Sequence, residues 1–127
     1  MNKFVSIWIA NTNWEDSTLR EVLKPSYSED GDFLGSEFTN AFALGYIDDD
    51  KIEAETIELT TSFADAIDGF SYDTDILNDM KIKKILSNDT PIDTIVLIYD
   101  YEFNASTDAE AIRDKYFLYI GKFEYRE

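Results

Sequence analysis

The chain has no histidine and no cysteine, and only two prolines, five glycines and eleven basic residues. Without cysteine there is no disulfide framework, no thiolate metal site and no thiol nucleophile. Without histidine, the side chain that most often moves protons near neutral pH is missing. So few bases leave little with which to hold nucleic acid or an anionic membrane, so direct binding to either is not expected. No apolar run approaches the roughly 20 residues of a membrane-spanning helix. Met1-Asn2-Lys3 leads straight into a short apolar segment, residues 4–10, with no signal-peptide cleavage region. The expectation is a cytoplasmic protein.

What is present is acid and aromatic side chains. Twenty-seven Asp and Glu give a net charge of −16, yet 44% of the chain is hydrophobic and it holds nine Phe, eight Tyr and two Trp. Disordered acidic chains are poor in aromatics, so this composition predicts a folded core. At 127 residues the chain reads as one domain, residues 1–127. Charge of one sign repels itself in the compact state. It is also regional: residues 26–59 hold ten acids and one base, and 60–79 hold five acids and none. Residues 80–92, by contrast, hold three Lys against one Asp. A basic protein is the partner that such a field would steer in.

The hydropathy pattern predicts an α+β fold with a mainly antiparallel sheet of about four strands and three to four short helices. Residues 4–10 read as a strand covered on both faces. Thr12-Asn13-Trp14-Glu15 has capping-box spacing and predicts a helix that buries Trp14, Leu19, Val22 and Leu23 and stops before Pro25. Residues 26–35 read as a turn-rich segment bending at Asp30-Gly31. A short helix should follow Ser36, with Phe38, Phe42 and Leu44 inward and Gly45 closing it. Asp48-Asp49-Asp50 reads as a turn, and residues 52–59 as a half-exposed strand bulged near Thr56. Residues 62–68 suggest helical turns ending at Gly69. Residues 73–87 suggest a helix broken near Asn78-Asp79, because its apolar residues make no clean stripe. Residues 94–99 read as an interior strand, and 115–125 as a long strand with Phe117, Tyr119, Phe123 and Tyr125 on one face. The intervening 104–114 reads as a loop with a helical turn after Thr107.

Three chemistries compete for the acids. Ser26 to Glu37 echoes a calcium loop, with Gly31 at the sixth position and Glu37 at the twelfth. Neutral Ser26 and Ser28 stand where carboxylates belong, so a solvated turn is favoured. Asp48, Asp49 and Asp50 with Glu53 and Glu55 have the donors for Mg²⁺, but Lys51 alone is present to hold a phosphate substrate. Carboxylate pairs for glycoside hydrolysis would need a sugar cleft, for which so short a chain has little room. The residues themselves favour a non-catalytic, acidic interaction surface without metal or other cofactor.

An ordered set of segments resembles the immunity protein 22 family of bacterial polymorphic toxin systems. It comprises Val5-Ser6-Ile7-Trp8-Ile9-Ala10-Asn11, Tyr27-Ser28-Glu29-Asp30-Gly31-Asp32 with Ser36, Phe38 and Phe42, and Tyr46 with Asp48-Asp49-Asp50 and Ile52-Glu53-Ala54-Glu55. Ser71-Tyr72, Val96-Leu97-Ile98-Tyr99 and Phe117-Leu118-Tyr119-Ile120-Gly121 complete it. The resemblance implies a protein without catalytic activity that neutralises a cognate secreted toxin inside the bacterial cytoplasm, as in contact-dependent inhibition. Such toxins are often nucleases, whose cationic sites a carboxylate surface can occupy. The expected toxin-binding residues are Tyr46, Asp48, Asp49, Asp50, Glu53 and Glu55, then Asp30, Asp32 and Glu37, with Tyr27 as a second aromatic anchor. Two other classes remain open: an acidic or nucleic-acid-mimic adaptor for a basic housekeeping protein, and a small carboxylate-dependent enzyme.

Self-repulsion makes one measurement informative at once. Stability at neutral pH should rise from low to moderate salt, as screening shortens the reach of each charge to about 8–10 Å. Urea midpoints that stay flat across that range would mean that the acids are already paired locally.

Overall fold

A computed structural model describes residues 2–104 and 108–127. Strand β1 (Asn2–Ala10) forms because large apolar side chains fill both sides of its pleat. Val5, Ile7 and Ile9 are buried on one face, Trp8 and Ala10 on the other. Ser6, buried beside Trp8, donates its hydroxyl to the Tyr101 carbonyl (2.8 Å) and accepts from the Phe103 N–H (3.1 Å).

Helix α1 (Asp16–Leu23) buries Leu19, Val22 and Leu23 and stops short of Pro25, as the sequence predicts. The capping box expected at Thr12 does not form: Glu15 precedes the helix and caps it with no side-chain bond. Thr12 is buried instead, its N–H donating to the Asp93 carboxylate (2.8 Å) and its hydroxyl paired with that of Thr94 (2.8 Å). A charged acceptor on a distant strand outcompetes the local cap. Trp14 still packs inward, 5.6 Å from Phe117.

The segment expected to be all turn contains a small separate sheet, β2 (Ser26–Tyr27) paired with β3 (Phe33–Gly35). Its bend lies at Asp30-Gly31, where φ at Gly31 is 86°. Helix α2 (Glu37–Ala41) opens on a reciprocal cap: the Thr39 N–H donates to the Ser36 hydroxyl (3.0 Å), and the Ser36 N–H to the Thr39 hydroxyl (2.8 Å). Phe38, Phe42 and Leu44 are buried as expected, but the left-handed residue that ends the helix is Ala43 (φ 55°), ahead of Gly45.

Four longer strands complete the main sheet: β4 (Ile52–Ser62), β5 (Ser87–Tyr99), β6 (Ala109–Ile112) and β7 (Lys115–Arg126). Their order is β4-β5-β1-β7-β6, with every neighbouring pair antiparallel. The α+β, antiparallel expectation holds, with five strands in the main sheet. A register slip between Thr56 and Thr60 is the bulge expected in β4. On one face α1 and α2 pack over Trp8, Val96 and Phe117. On the other, α3 (Phe63–Ile67) and α4 (Asp73–Lys83) pack over Ile7, Leu97 and Phe123.

Three further expectations fail, each for a tertiary reason. The first is α4, which is unbroken at Asn78-Asp79 and ends at Lys83. Its stripe looks impure because Asp79 turns inward to accept the Glu124 N–H (2.8 Å), while Ile82 faces solvent. Residues 109–112 are strand β6 where a loop with a helical turn was expected; Thr107 itself lies outside the described residues. β6 turns into β7 through Arg113 and Asp114, both at positive φ (50° and 65°), the pairing that a tight hairpin requires. Third, Phe117 and Tyr119 do not share a face with Phe123 and Tyr125. Trp8 pairs with Tyr119 but Ile7 with Gly121, so β7 carries one extra residue and changes face there. Gly121, at φ 137°, supplies the backbone for it.

The same helix α4 guards the free edge of β7. β6 pairs only with Lys115 to Leu118, leaving the outward N–H groups further along without a strand. Asp75 accepts from the Arg126 N–H (3.0 Å), Asp79 from the Glu124 N–H, and Lys83 donates to the Lys122 carbonyl (2.6 Å). Four residues of helix rise about 6 Å and two of strand about 6.8 Å, so the two ladders stay in step. Asp79→Ala should therefore lower stability by about 1–3 kcal/mol, leaving a partly buried donor unpaired. Ile82→Ala on the same helix should stay within about 0.5 kcal/mol. Urea denaturation of both variants checks this.

Candidate functional site

The acidic segment after α2 begins with a single turn of 3-10 helix, Asp49–Lys51, closed by the Asp50 N–H donating to the Asp48 carboxylate (3.0 Å). It leads into β4, an edge strand of the main sheet. Acidic side chains on an edge discourage pairing with a foreign strand, so Glu53, Glu55 and Glu58 serve the monomer too. Glu53 is half-buried and accepts from the Ser71 N–H (3.3 Å). The Tyr99 hydroxyl donates to the Ser71 carbonyl (2.7 Å). Burial, and then the nearby Glu53 charge, pushes that phenol well above its ordinary range. Glu53, Glu55, Asp68, Gly69 and Phe70 line an open depression of about 260 Å³.

Two arginines engage part of this acid set. Arg20 lies 3.7 Å from Glu55 and 3.3 Å from Asp16, and donates to the Ala54 carbonyl on the strand edge. Arg113 holds Glu37 with two bonds (2.8 and 2.7 Å) and also reaches Glu21 (3.2 Å). The hydrogen bond from Arg113 keeps the Glu37 carboxyl below the usual carboxylate range, and the two carboxylates raise the guanidinium in turn. Glu37 is also set apart from the β4 acids: α2 packs against β6 and β3, and α1 against β4, which lies at the opposite edge of the sheet from β6.

Tyr27 and Tyr46 are brought together by a residue that the sequence reading missed. Phe33 lies 5.9 Å from the Tyr27 ring and 5.2 Å from the Tyr46 ring, edge-on to both. Leu34 beside it is exposed. Two apolar residues side by side in an otherwise polar, turn-rich stretch were the available signal. Asp32 is tied into the hairpin through its backbone, accepting from the Ser28 N–H (2.9 Å). The carboxylates of Asp30, Asp32, Asp49 and Asp50 have no cationic partner among the described residues. Asp49 also borders a 260 Å³ depression with Lys24 and Pro25, next to the start of β2, so the acidic turn and the hairpin base are neighbours. The ten expected residues thus divide into Tyr27, Asp30, Asp32 and Tyr46 at the hairpin, Asp48 to Glu55 along the β4 edge, and Glu37 apart.

Among the described residues no group of three or more Asp or Glu is arranged to hold a metal ion, and no helix is long and apolar enough to cross a membrane. The arrangement offers hydrogen-bond acceptors of full negative charge beside exposed rings, on loops and an edge strand held by a rigid sheet. These are the materials of a protein-binding surface. The family profile described as Immunity protein 22 matches residues 5–126, and the chain belongs to that family. Membership supports a toxin-neutralising immunity function, exerted by binding a cognate toxin. No curated protein and no solved structure matches the chain.

The Arg113 clamp makes a pH prediction. Glu37 is depressed in the folded state, so the clamp stabilises fully above the unfolded Glu value of about 4.3 and fades as pH falls through the lower folded value. The pair is exposed, so Glu37→Gln should cost about 1 kcal/mol or less at pH 7 and should flatten the acid limb below pH 4. Urea midpoints of parent and variant at pH 7 and pH 3 test both parts.

Proposed function

We propose that this immunity protein acts in the cytoplasm on a basic toxin domain, most simply a nuclease, and neutralises it through its acidic surface without catalysis. The observation that carries this reading is that Asp30, Asp32, Asp49 and Asp50, grouped at the hairpin and the turn before β4, are among the carboxylates that no cation answers within the described residues. A nuclease holds phosphate with Lys and Arg, and carboxylates can take the same donors through charge-assisted hydrogen bonds. The surrounding field hastens encounter, raising association by roughly 10–10³ at low salt. The domain proposed to do this is the whole chain, since the family match spans nearly all of it.

The carboxylates should not behave alike. Asp49 and Asp50 are exposed, so Asp49→Ala and Asp50→Ala should lower the association rate and its dependence on salt while leaving dissociation nearly unchanged. Glu53 is half-buried with a backbone donor, so Glu53→Ala should speed dissociation. The measurement is binding kinetics at two salt concentrations against the cognate toxin domain, with rescue of cells that express that domain. A variant lacking Asp30, Asp32, Asp48, Asp49 and Asp50 together that still bound at parental rates and protected cells would disprove the acidic surface.

A further inference from the structure

We infer that the β2–β3 hairpin anchors the toxin, its Tyr27–Phe33–Tyr46 rings and Leu34 receiving an arginine- or lysine-bearing segment of the partner; this rests on the functional reading above. Tyr46 is 68% exposed, Tyr27 55% and Leu34 53%. Single exposed apolar side chains are ordinary, but three exposed ones on or beside the smallest sheet, two of them packed on the half-buried Phe33, are not. The molecule has other aromatics to compare. The rings around Trp8 (Phe38, Phe42, Phe103 and Tyr119) are buried or half-buried and fill the core. At the hairpin, Phe33 stands edge-on to each tyrosine, and both tyrosines remain largely open to solvent.

Charge identifies the occupant. Besides Glu37, which Arg113 holds, residues 26–50 contain Glu29, Asp30, Asp32 and Asp48 to Asp50 but no Lys or Arg. A partner with acidic or neutral character would gain nothing from that rim. A basic side chain instead lays its aliphatic stem along the rings and its charged head against a ring face, within reach of a carboxylate. Arg113 and Arg20 already occupy Glu37 and Glu55, and the Ser71 N–H binds Glu53, so the β4 acids are less free to respond to a partner. The exposed carboxylates therefore chiefly steer the encounter, and the hairpin rings contribute most to how long the complex lasts.

Two experiments decide it. In the first, hexa-arginine peptide is titrated into the parent chain and backbone amide NMR shifts are followed. Shifts should concentrate at residues 26–34 and 46–50; shifts spread evenly over every acidic segment would overturn the anchor. In the second, dissociation of the cognate toxin domain is compared for Tyr46→Ala, Leu34→Ala, Tyr116→Ala and the parent, with circular dichroism confirming the fold. Tyr46→Ala should dissociate roughly tenfold faster or more and Leu34→Ala several-fold faster. Tyr116→Ala, an equally exposed aromatic on β7, should match the parent. Parental dissociation in both hairpin variants would sink this inference while leaving the immunity reading intact. Failure of the parent chain itself to bind would bring down the functional reading and this one together.

Discussion

β1 lies between β5 and β7 in the middle of the sheet, and neither of its faces can meet water. Val5, Ile7 and Ile9 require cover on one side and Trp8 and Ala10 on the other, so the chain has to place helices on both. α1 and α2 supply one layer, α3 and α4 the second. β7, running beside β1, has to serve both layers as well. It does so by gaining a residue opposite Ile7 and Trp8, which hands Phe117 and Tyr119 to one core and Phe123 and Tyr125 to the other. A single strand buried on both faces thus explains the layering, the bulge and the two separate hydrophobic cores.

The acids fall into two groups that composition alone merges. Many carboxylates replace backbone partners: Asp93 binds the Thr12 and Asn13 N–H groups, Asp73 that of Gly69, Asp79 that of Glu124 and Glu53 that of Ser71. An ionised carboxylate is a strong acceptor, and a backbone donor gives it a partner without adding a cation. Others, Asp30, Asp32, Asp49 and Asp50, lie in the hairpin and the turn before β4 and have no cationic partner among the described residues.

Much of the fold could be read directly. Two-sided apolar runs marked β1 and β5, Pro25 marked the end of α1, Ser36 marked the start of α2, and the shifted alternation near Thr56 marked the bulge in β4. These features depend on residues within a turn or a strand's length of one another. The failures share the opposite property. Thr12 looked like a cap until Asp93, 81 residues away, took its N–H. Asp79 looked like a break in α4 until β7 supplied the donor it faces. At the surface, the sequence singled out Tyr27 and Tyr46, but Phe33, which joins them, was hidden in a segment that reads as turn.

The sequence by itself determined the α+β class, the sign and location of the charge, and membership of an immunity family, because hydropathy period, net charge and motif order are all properties of the linear chain. Only the tertiary structure decided which acids remain available. Arg113 reaches Glu37 across 76 positions and Arg20 reaches the β4 edge across 34, and no local pattern foretells either. Ion pairing depends on distances of a few ångströms in space, and these exist only once the sheet has brought its opposite edges within reach of the helices above them.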